Sequence, residues 1–155
     1  FGRFAAENRR SRGDDKPETF DFLGFTHVCS TTRRGKFAVR RLTAKKKMRA
    51  KLTELKAELR RRMHHSVPEQ GTYLQSVLRG HFRYYGVPNN VPRMQSFALC
   101  VGKLWVRTLK RRSQKHRITQ AAKRRLLGLL PSPHVCHPWP HQRLGVITRG
   151  RSRMR

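Results

Sequence analysis

Acidic residues are scarce in this sequence of 155 residues, which has eight aspartates and glutamates against 37 lysines and arginines. None of the eight lies after Glu69, so the remainder of the chain has no carboxylate side chain. A chain with a formal net charge of +29 repels itself in isolation and is stabilised by a polyanion. RNA or DNA is therefore the expected partner, and acid–base catalysis by carboxylates would have to come from the first part of the chain.

Long apolar runs and cysteines are scarce as well. The sequence has no apolar run of about twenty residues and no signal-peptide pattern, which argues against a membrane as the polyanionic partner. Its three cysteines, Cys29, Cys100 and Cys136, are odd in number and widely spaced. This usage predicts reduced thiols in a reducing compartment, with Cys29 and Cys100 buried as small apolar side chains. We therefore expect a cytoplasmic protein.

The apolar residues that are present recur at structural periods and predict a mainly α fold with a short N-terminal β-hairpin. The run TFDFLGFTHVCS (19–30) predicts one strand, TTRRG (31–35) predicts a turn, and KFAVRR (36–41) predicts the second strand. A bundle of three to four basic amphipathic helices is expected after it, followed by a basic disordered tail. The predicted units are 1–41, 42–142 and 143–155.

The first predicted helix is the most basic. Thr43 is its expected N-cap, and lysines and arginines occupy the surface outside one apolar stripe. About twenty helical residues would extend roughly 30 Å, enough to lie across a nucleic-acid duplex. The stripe has steps of three and four residues and comprises Met48, Leu52, Leu55, Leu59 and Met63.

Three further helices are predicted. HHSVPEQGTY (64–73) is expected to end the first helix. The second helix follows it, with apolar residues from 73 to 85. Asn90 is expected to cap the third helix, which has a continuous apolar stripe over 94–109. A short fourth helix is expected over 119–130, beginning at Thr119.

Two groups of residues have the chemistry of metal ligands. Asp14 and Asp15 form a GDD sequence, but polar and charged residues flank them, whereas a catalytic pair would need a rigid hairpin between apolar strands. A solvated loop is the favoured interpretation. The second group comprises His134, Cys136, His137 and His141, within a proline-rich segment. Its spacing matches no standard zinc finger, and we expect the segment to pack on the helices.

The segment GHFRYYGVPNN (80–90) interleaves aromatic and basic residues, a pattern typical of surfaces that bind unpaired bases and phosphates. Phe82 and Tyr85 are expected in the core. Arg83 and Tyr84 are the expected exposed pair.

Several motifs in combination resemble the C-terminal part of a bacterial group II intron reverse transcriptase/maturase. They are TFDFLGF (19–25), the helix at 48–64, YLQSVLRGHFRYYGVPNN (73–90), LWVRTLKRRSQK (104–115) and HPWP (137–140), and the resemblance extends from about Phe1 to Gln142. It implies that the first strand is the end of the reverse transcriptase palm. The helices would then form the thumb and the maturase-specific region, called domain X, which binds intron RNA for splicing and holds the template–primer duplex.

The resemblance also implies that the catalytic carboxylates of this RNA-directed DNA polymerase, with their magnesium, would lie upstream of Phe1. We therefore expect no cofactor in this chain, no polymerase activity of the chain alone, and the missing reverse transcriptase part as a further partner. Phe20, Phe22 and Phe25 would then be the least well buried apolar residues. The residues expected to contact RNA are Lys45, Lys46, Lys47, Arg49, Arg60, Arg61, Arg62, Arg79, Arg83, Tyr84, Lys110, Arg111, Arg112 and Trp139.

Three alternatives stay open on the sequence. The chain could be a stand-alone basic nucleic-acid-binding protein, which would bind unrelated RNA as well as an intron. It could be a nuclease or polymerase that uses Asp14 and Asp15. It could also be a remnant of a mobile element that no longer folds or functions.

Overall fold

The computed structural model describes residues 1–13, 17–112 and 118–137, and its fold is mainly α with a small N-terminal sheet. The predicted fold class is confirmed, except that the sheet has three antiparallel strands in the order β1-β2-β3. The predicted tail at 143–155 lies outside the described residues. The elements are α1 (Ala5–Ser11), β1 (Phe20–Phe22), β2 (Phe25–Thr31), β3 (Phe37–Thr43), α2 (Lys45–Arg61), α3 (Val67–Tyr85), α4 (Val91–Arg111) and α5 (Gln120–Gly128).

The extra strand arises because the segment predicted as one strand over 19–30 folds back on itself. Leu23 and Gly24 have φ values of 47° and 78°, and they form a two-residue turn that pairs Phe22 with Phe25. Positive φ at both central positions gives a turn whose twist matches that of the flanking strands. The prediction of a single strand over 19–30 was wrong. Gly24 permits the reversal of the chain, and Leu23 adopts the left-handed conformation beside it.

Aromatic contacts attach the sheet to α3. The Phe25 ring lies 5.9 Å from the Tyr84 ring and 5.1 Å from the Tyr85 ring. The Tyr84 hydroxyl donates a hydrogen bond of 2.8 Å to the carbonyl of Leu23 in the β1–β2 turn. Phe20 and Phe22 are 45% and 59% exposed, whereas Phe25 is half-buried by these rings. Leu23, Leu99 and Phe4 are more exposed than any of the three, so the expectation that these phenylalanines are the least well buried apolar residues was wrong.

Asn90 joins the sheet to the helices. It is fully buried, its Oδ1 accepts from the Thr43 backbone N–H, and its Nδ2 donates to the Thr43 hydroxyl and the Tyr85 carbonyl, each at 2.8 Å. Thr43 is therefore the last residue of β3, and Ala44 occupies the N-cap position of α2, so the predicted Thr43 cap was wrong. Asn90 stands at the N-cap position of α4, but its side chain caps no backbone group there.

The helices α2 and α3 form where the apolar pattern predicts, with one boundary displaced. Leu55 and Leu59 are fully buried in the predicted stripe of α2. α3 begins at Val67, earlier than predicted, because Ser66 and Glu69 form a capping box that starts the helix inside the expected break.

The remaining helices agree with the sequence. α4 buries Phe97 and Trp105 on its predicted stripe, and the Thr119 hydroxyl accepts from the Ala122 N–H at the start of α5. The core lies where α2 and α3 pack on α4. It holds Leu55, Leu59, Leu74, Leu78, Phe82, Met94, Phe97, Val101, Trp105 and Leu109.

Gln70 is a polar centre within this core, and it fixes the end of α2. The residue is fully buried, and its Nε2 lies within hydrogen-bonding distance of the carbonyls of Arg62, Met63 and His65. Its Oε1 accepts from the Trp105 indole N–H at 3.0 Å. One side chain therefore binds the chain that leaves α2 and ties it to α4. Without it the carbonyls of Met63 and His65 would lose the donor they have here, whereas the Arg62 carbonyl would keep the His65 N–H.

Candidate nucleic-acid interface

Basic residues cover the helices with little compensating acid. From Lys45 to Arg112 the chain has 17 lysines and arginines but only three glutamates. Each glutamate is occupied, since Glu54 binds Lys51, Glu58 binds Arg61 and Arg62, and Glu69 lies 3.6 Å from His65. The other cations of this surface have no carboxylate partner among the described residues. Such a surface attracts polyanions over a range set by salt screening.

The predicted contact residues are mostly exposed, as a contact role requires. Trp139 lies outside the described residues, and Arg62 is half-buried. The exposed residues are Lys45, Lys46, Lys47, Arg49, Arg60, Arg61, Arg79, Arg83, Tyr84, Lys110, Arg111 and Arg112.

The N-terminal end of α2 contributes to a cleft against the sheet. Lys45, Lys46 and Arg49 line it together with Arg93 of α4, and the cavity volume is about 730 Å³. Asp21 of β1 also lines this cleft and accepts from the Thr26 hydroxyl. The carboxylate partly offsets the four cations, so an anion is attracted less strongly here than the basic residues alone would suggest.

A second cleft lies between the C-terminal halves of α2 and α4. Two pairs of cations face each other across it, Lys56 with Arg60 on α2 and Arg107 with Arg111 on α4. Its other lining residues are the half-buried Met63, Leu104 and Thr108, and its volume is about 380 Å³. Below, this is called the α2–α4 cleft. Among the residues that the structure describes, none that lines it is acidic.

Arg61 and Arg62 are paired with a glutamate, whereas the adjacent Arg60 has no ion pair with a described residue. Glu58 Oε2 lies 2.8 Å from Arg61, and Glu58 Oε1 accepts from Arg62 Nε at 2.6 Å. The hydrogen bond from Arg62, helped by the charges of both arginines, lowers the pKa of Glu58. The Arg62 guanidinium also lies 4.4 Å from the centre of the Tyr73 ring. Arg62 thus packs within the fold, and Arg60 is the member of the run that points into the α2–α4 cleft.

The aromatic–basic segment of α3 has a divided role. Phe82 is buried and Tyr85 half-buried, as predicted, while Arg83 and Tyr84 are exposed. Tyr84 is nevertheless engaged, because its hydroxyl binds the Leu23 carbonyl and its ring stacks on Phe25. Through these two contacts Tyr84 attaches the sheet to α3.

The segment 131–137 packs on the C-terminal end of α3, as the sequence predicted. The amides of Cys136 and His137 donate to the Gly86 carbonyl at 2.8 and 2.9 Å, and the His137 ring lies 2.5 Å from the Arg83 carbonyl. A Cβ on Gly86 would lie 2.4 Å from the Phe82 carbonyl oxygen, so only glycine fits.

Metal ligation has no support within the residues that the structure describes, which contain no group of three or more His, Cys, Asp or Glu side chains placed to hold an ion. Asp14, Asp15 and His141 lie outside them. Cys29, Cys100 and Cys136 are free and half-buried, so the expected full burial of Cys29 and Cys100 was wrong.

Sequence reasoning did not assign Lys56, Arg93 and Arg107 to the interface. The sequence does contain a pattern that indicates Lys56 and Arg107. Each lies four residues before a predicted contact residue, Arg60 or Arg111, and residues at this spacing share one helical face. Which two faces meet depends on the packing of α2 on α4, which spacing within one helix does not determine.

No protein-family model, curated protein or solved structure was found to match this chain. Among the described residues, none of the helices has the length and apolar character needed to cross a bilayer.

Proposed function

We propose that this chain is an RNA-binding module that works by binding alone, as the thumb and maturase-specific region of a group II intron reverse transcriptase would. In that role it helps intron RNA to fold for splicing and grips a template–primer duplex. Its place would be the bacterial cytoplasm. The observation that carries the proposal is the exposed basic surface of α2–α4, on which Glu54 and Glu58 are paired with neighbouring cations and Glu69 accepts from the Ser66 N–H in the capping box.

A phosphate backbone suits this surface better than a small anion does. The helices α2 and α4 contain 17 and 21 residues, so they are about 26 and 32 Å long and span several phosphates of a duplex. Exposed arginines and lysines along such a length release counterions when RNA binds, and the affinity then depends steeply on salt. Arg79 and Arg83 extend the basic surface along α3.

The test is a fluorescence-anisotropy titration of the whole chain with a group II intron RNA and an unrelated structured RNA of equal length. We expect the affinity for the intron RNA to fall by a factor of about a thousand or more between about 50 and 200 mM salt. Affinity that is indifferent to salt in this range contradicts the proposal. Equal affinity for both RNAs favours the stand-alone nucleic-acid-binding protein.

A separate assay addresses the enzymatic alternative. Primer extension with magnesium is expected to give no product with this chain. Product that disappears when Asp14→Ala is combined with Asp15→Ala would replace the binding role by a polymerase role.

A further inference from the structure

We propose that the α2–α4 cleft is the site where this chain holds an RNA backbone, with neighbouring phosphates lying between Lys56–Arg60 on one helix and Arg107–Arg111 on the other. The inference rests on the proposed RNA-binding function and names the place where it acts. Four cations from two helices converge on this cleft, and its lining contains no acidic residue from the described part of the chain.

The four cations have no partner that would explain their convergence. None of them makes an ion pair or side-chain hydrogen bond with any described residue. Glu58, between Lys56 and Arg60 in sequence, is directed to Arg61 and Arg62 instead. Like charges four residues apart on a helix destabilise it, and the cleft contains two such pairs. An anion between the helices would turn this repulsion into attraction.

The shape of the cleft favours a chain of phosphates. Four residues rise about 6 Å along a helix, so the two cations of each pair can contact successive phosphates of one strand. Three of the four are arginines, whose planar guanidinium binds phosphate oxygens through two parallel N–H groups. Between the cations the cleft is lined by the half-buried Met63, Leu104 and Thr108, and the Thr108 hydroxyl donates to the Leu104 carbonyl of its own helix at 3.0 Å, so its proton is not offered to a base edge. The cleft therefore suits backbone binding without sequence readout.

The comparison with the cleft at the start of α2 supports this choice. That cleft also contains four cations, Lys45, Lys46, Arg49 and Arg93, but Asp21 lines it and lowers its positive potential. Both ends of α2 are anchored, the start by Asn90 through Thr43 and the end by Gln70 through the chain after Arg61, so the difference between the two clefts lies in the acidic residue.

The test compares two double variants of the whole chain by anisotropy with a fluorescein-labelled RNA duplex. The cleft variant is Arg60→Gln with Arg107→Gln, and the control is Arg33→Gln with Arg34→Gln in the exposed β2–β3 turn. Both remove the same charge.

We expect the cleft variant to bind at least tenfold more weakly, since each hydrogen bond between charged groups contributes about 1.5–3 kcal/mol. Its slope of log K against log salt should fall by about 1.5 to 2. The control should lose less than about threefold, because its charges act through screened solvent.

Thermal unfolding at low salt separates binding from a structural role. We expect the cleft variant to unfold at the same temperature as the wild type or higher, because repulsion is removed. A lower temperature would mean that these cations hold the helices together, and it would overturn the assignment.

Equal losses of RNA affinity for the two variants would overturn it too, since total charge alone would then control binding. Tighter binding of the wild type to poly-glutamate than to the duplex would point to an acidic protein partner instead. A wild type without salt-sensitive RNA binding would overturn this inference together with the proposed function.

Discussion

The sheet and the helices of this chain both contain aromatic residues, but they bury them very differently. Phe82, Phe97 and Trp105 of the helices are at most 1% exposed, whereas Phe20 and Phe22 of the sheet are exposed. Within the part of the chain that the structure describes, no residue before Thr43 is buried. The helices therefore have a core of their own, while the sheet depends on the contacts that attach it to α3 and α4.

The largest expected effect is on the helical core. Gln70→Ala removes the side chain whose Nε2 shares its two hydrogens among three carbonyls after α2 and whose Oε1 accepts from the Trp105 indole. The Trp105 N–H and the carbonyls of Met63 and His65 then lose their partner, while the Arg62 carbonyl keeps the His65 N–H. Buried polar groups left without partners cost about 1–3 kcal/mol each, so we expect a loss of at least about 3 kcal/mol in the free energy of unfolding. Urea denaturation followed by circular dichroism measures it.

The matched control is Gln75→Ala on the outer side of α3, where the half-buried Gln75 side chain donates to the Leu129 carbonyl and accepts a longer hydrogen bond of 3.4 Å from the exposed Arg79. We expect a loss of less than about 1.5 kcal/mol there. Equal losses for the two glutamines would contradict the central role of Gln70.

The second prediction concerns pH. Burial, helped by the charge of Lys51, lowers the pKa of His81 from 6.5 to about 4. Between these pH values the unfolded chain binds more protons at this residue than the folded one, so stability falls as the pH drops from about 6.5 to 4. The full effect is up to about 3 kcal/mol.

The measurement is urea denaturation at pH 7 and pH 4.5 for the wild type, His81→Phe and the exposed control His64→Gln. His81→Phe keeps the stacking on Phe97 but removes the titration, so it should be less sensitive to pH than the wild type. If His81→Phe and His64→Gln change the pH dependence equally, the prediction is wrong.

The third prediction tests the dependence of the sheet on its attachment. Asn90→Ala leaves the Thr43 amide and hydroxyl without the Asn90 side chain, while the Tyr85 carbonyl keeps the Val87 N–H as its donor. We expect a loss of about 2 kcal/mol. Hydrogen exchange should show lost protection in the amides of β1, β2 and β3, while those of α3 and α4 stay protected.

The control for this variant is Asn89→Gly. Asn89 is exposed and has a φ of 69°, a conformation that glycine adopts readily, so we expect little change in stability or exchange. Uniform loss of protection over strands and helices in Asn90→Ala would show that the two regions unfold as one unit.

The smallest expected effect is that of Tyr84→Phe. It removes the hydrogen bond to the Leu23 carbonyl, but Tyr84 is 52% exposed and water can replace the lost donor. We expect less than about 1 kcal/mol and unchanged affinity for RNA. A clear loss of RNA affinity with unchanged stability would restore Tyr84 to the contact role that the sequence predicted.

The helical region was more predictable than the sheet for a physical reason. The stripe of α2, the stripe of α4 and the Thr119 cap are local patterns, and each is visible within a few turns of sequence. The turn at Leu23–Gly24 was missed because leucine rarely takes a positive φ. Gln70 and Asn90 were not recognised as buried centres, since polar residues usually lie at the surface and their partners here come from other elements.

The candidate site shows the same division. Exposure of the lysines and arginines followed from composition and periodicity. The internal pairing of Arg61 and Arg62 with Glu58 is also a local pattern, at spacings of three and four residues. That Arg60 faces Arg107 and Arg111 across a cleft depends on the packing of α2 against α4.

The docking of the segment 131–137 on the end of α3 bears on the order in which the chain folds. The connection between α3 and α4 covers only residues 86–90, so these helices can meet through a short loop. By contrast, His137 reaches Arg83 across 54 residues of chain. Contacts between distant residues close more slowly, so we expect the helices to pack first. During synthesis from the N-terminus, α3 and α4 can then assemble before the proline-rich segment has left the ribosome, and that segment closes over a helix end that is already formed.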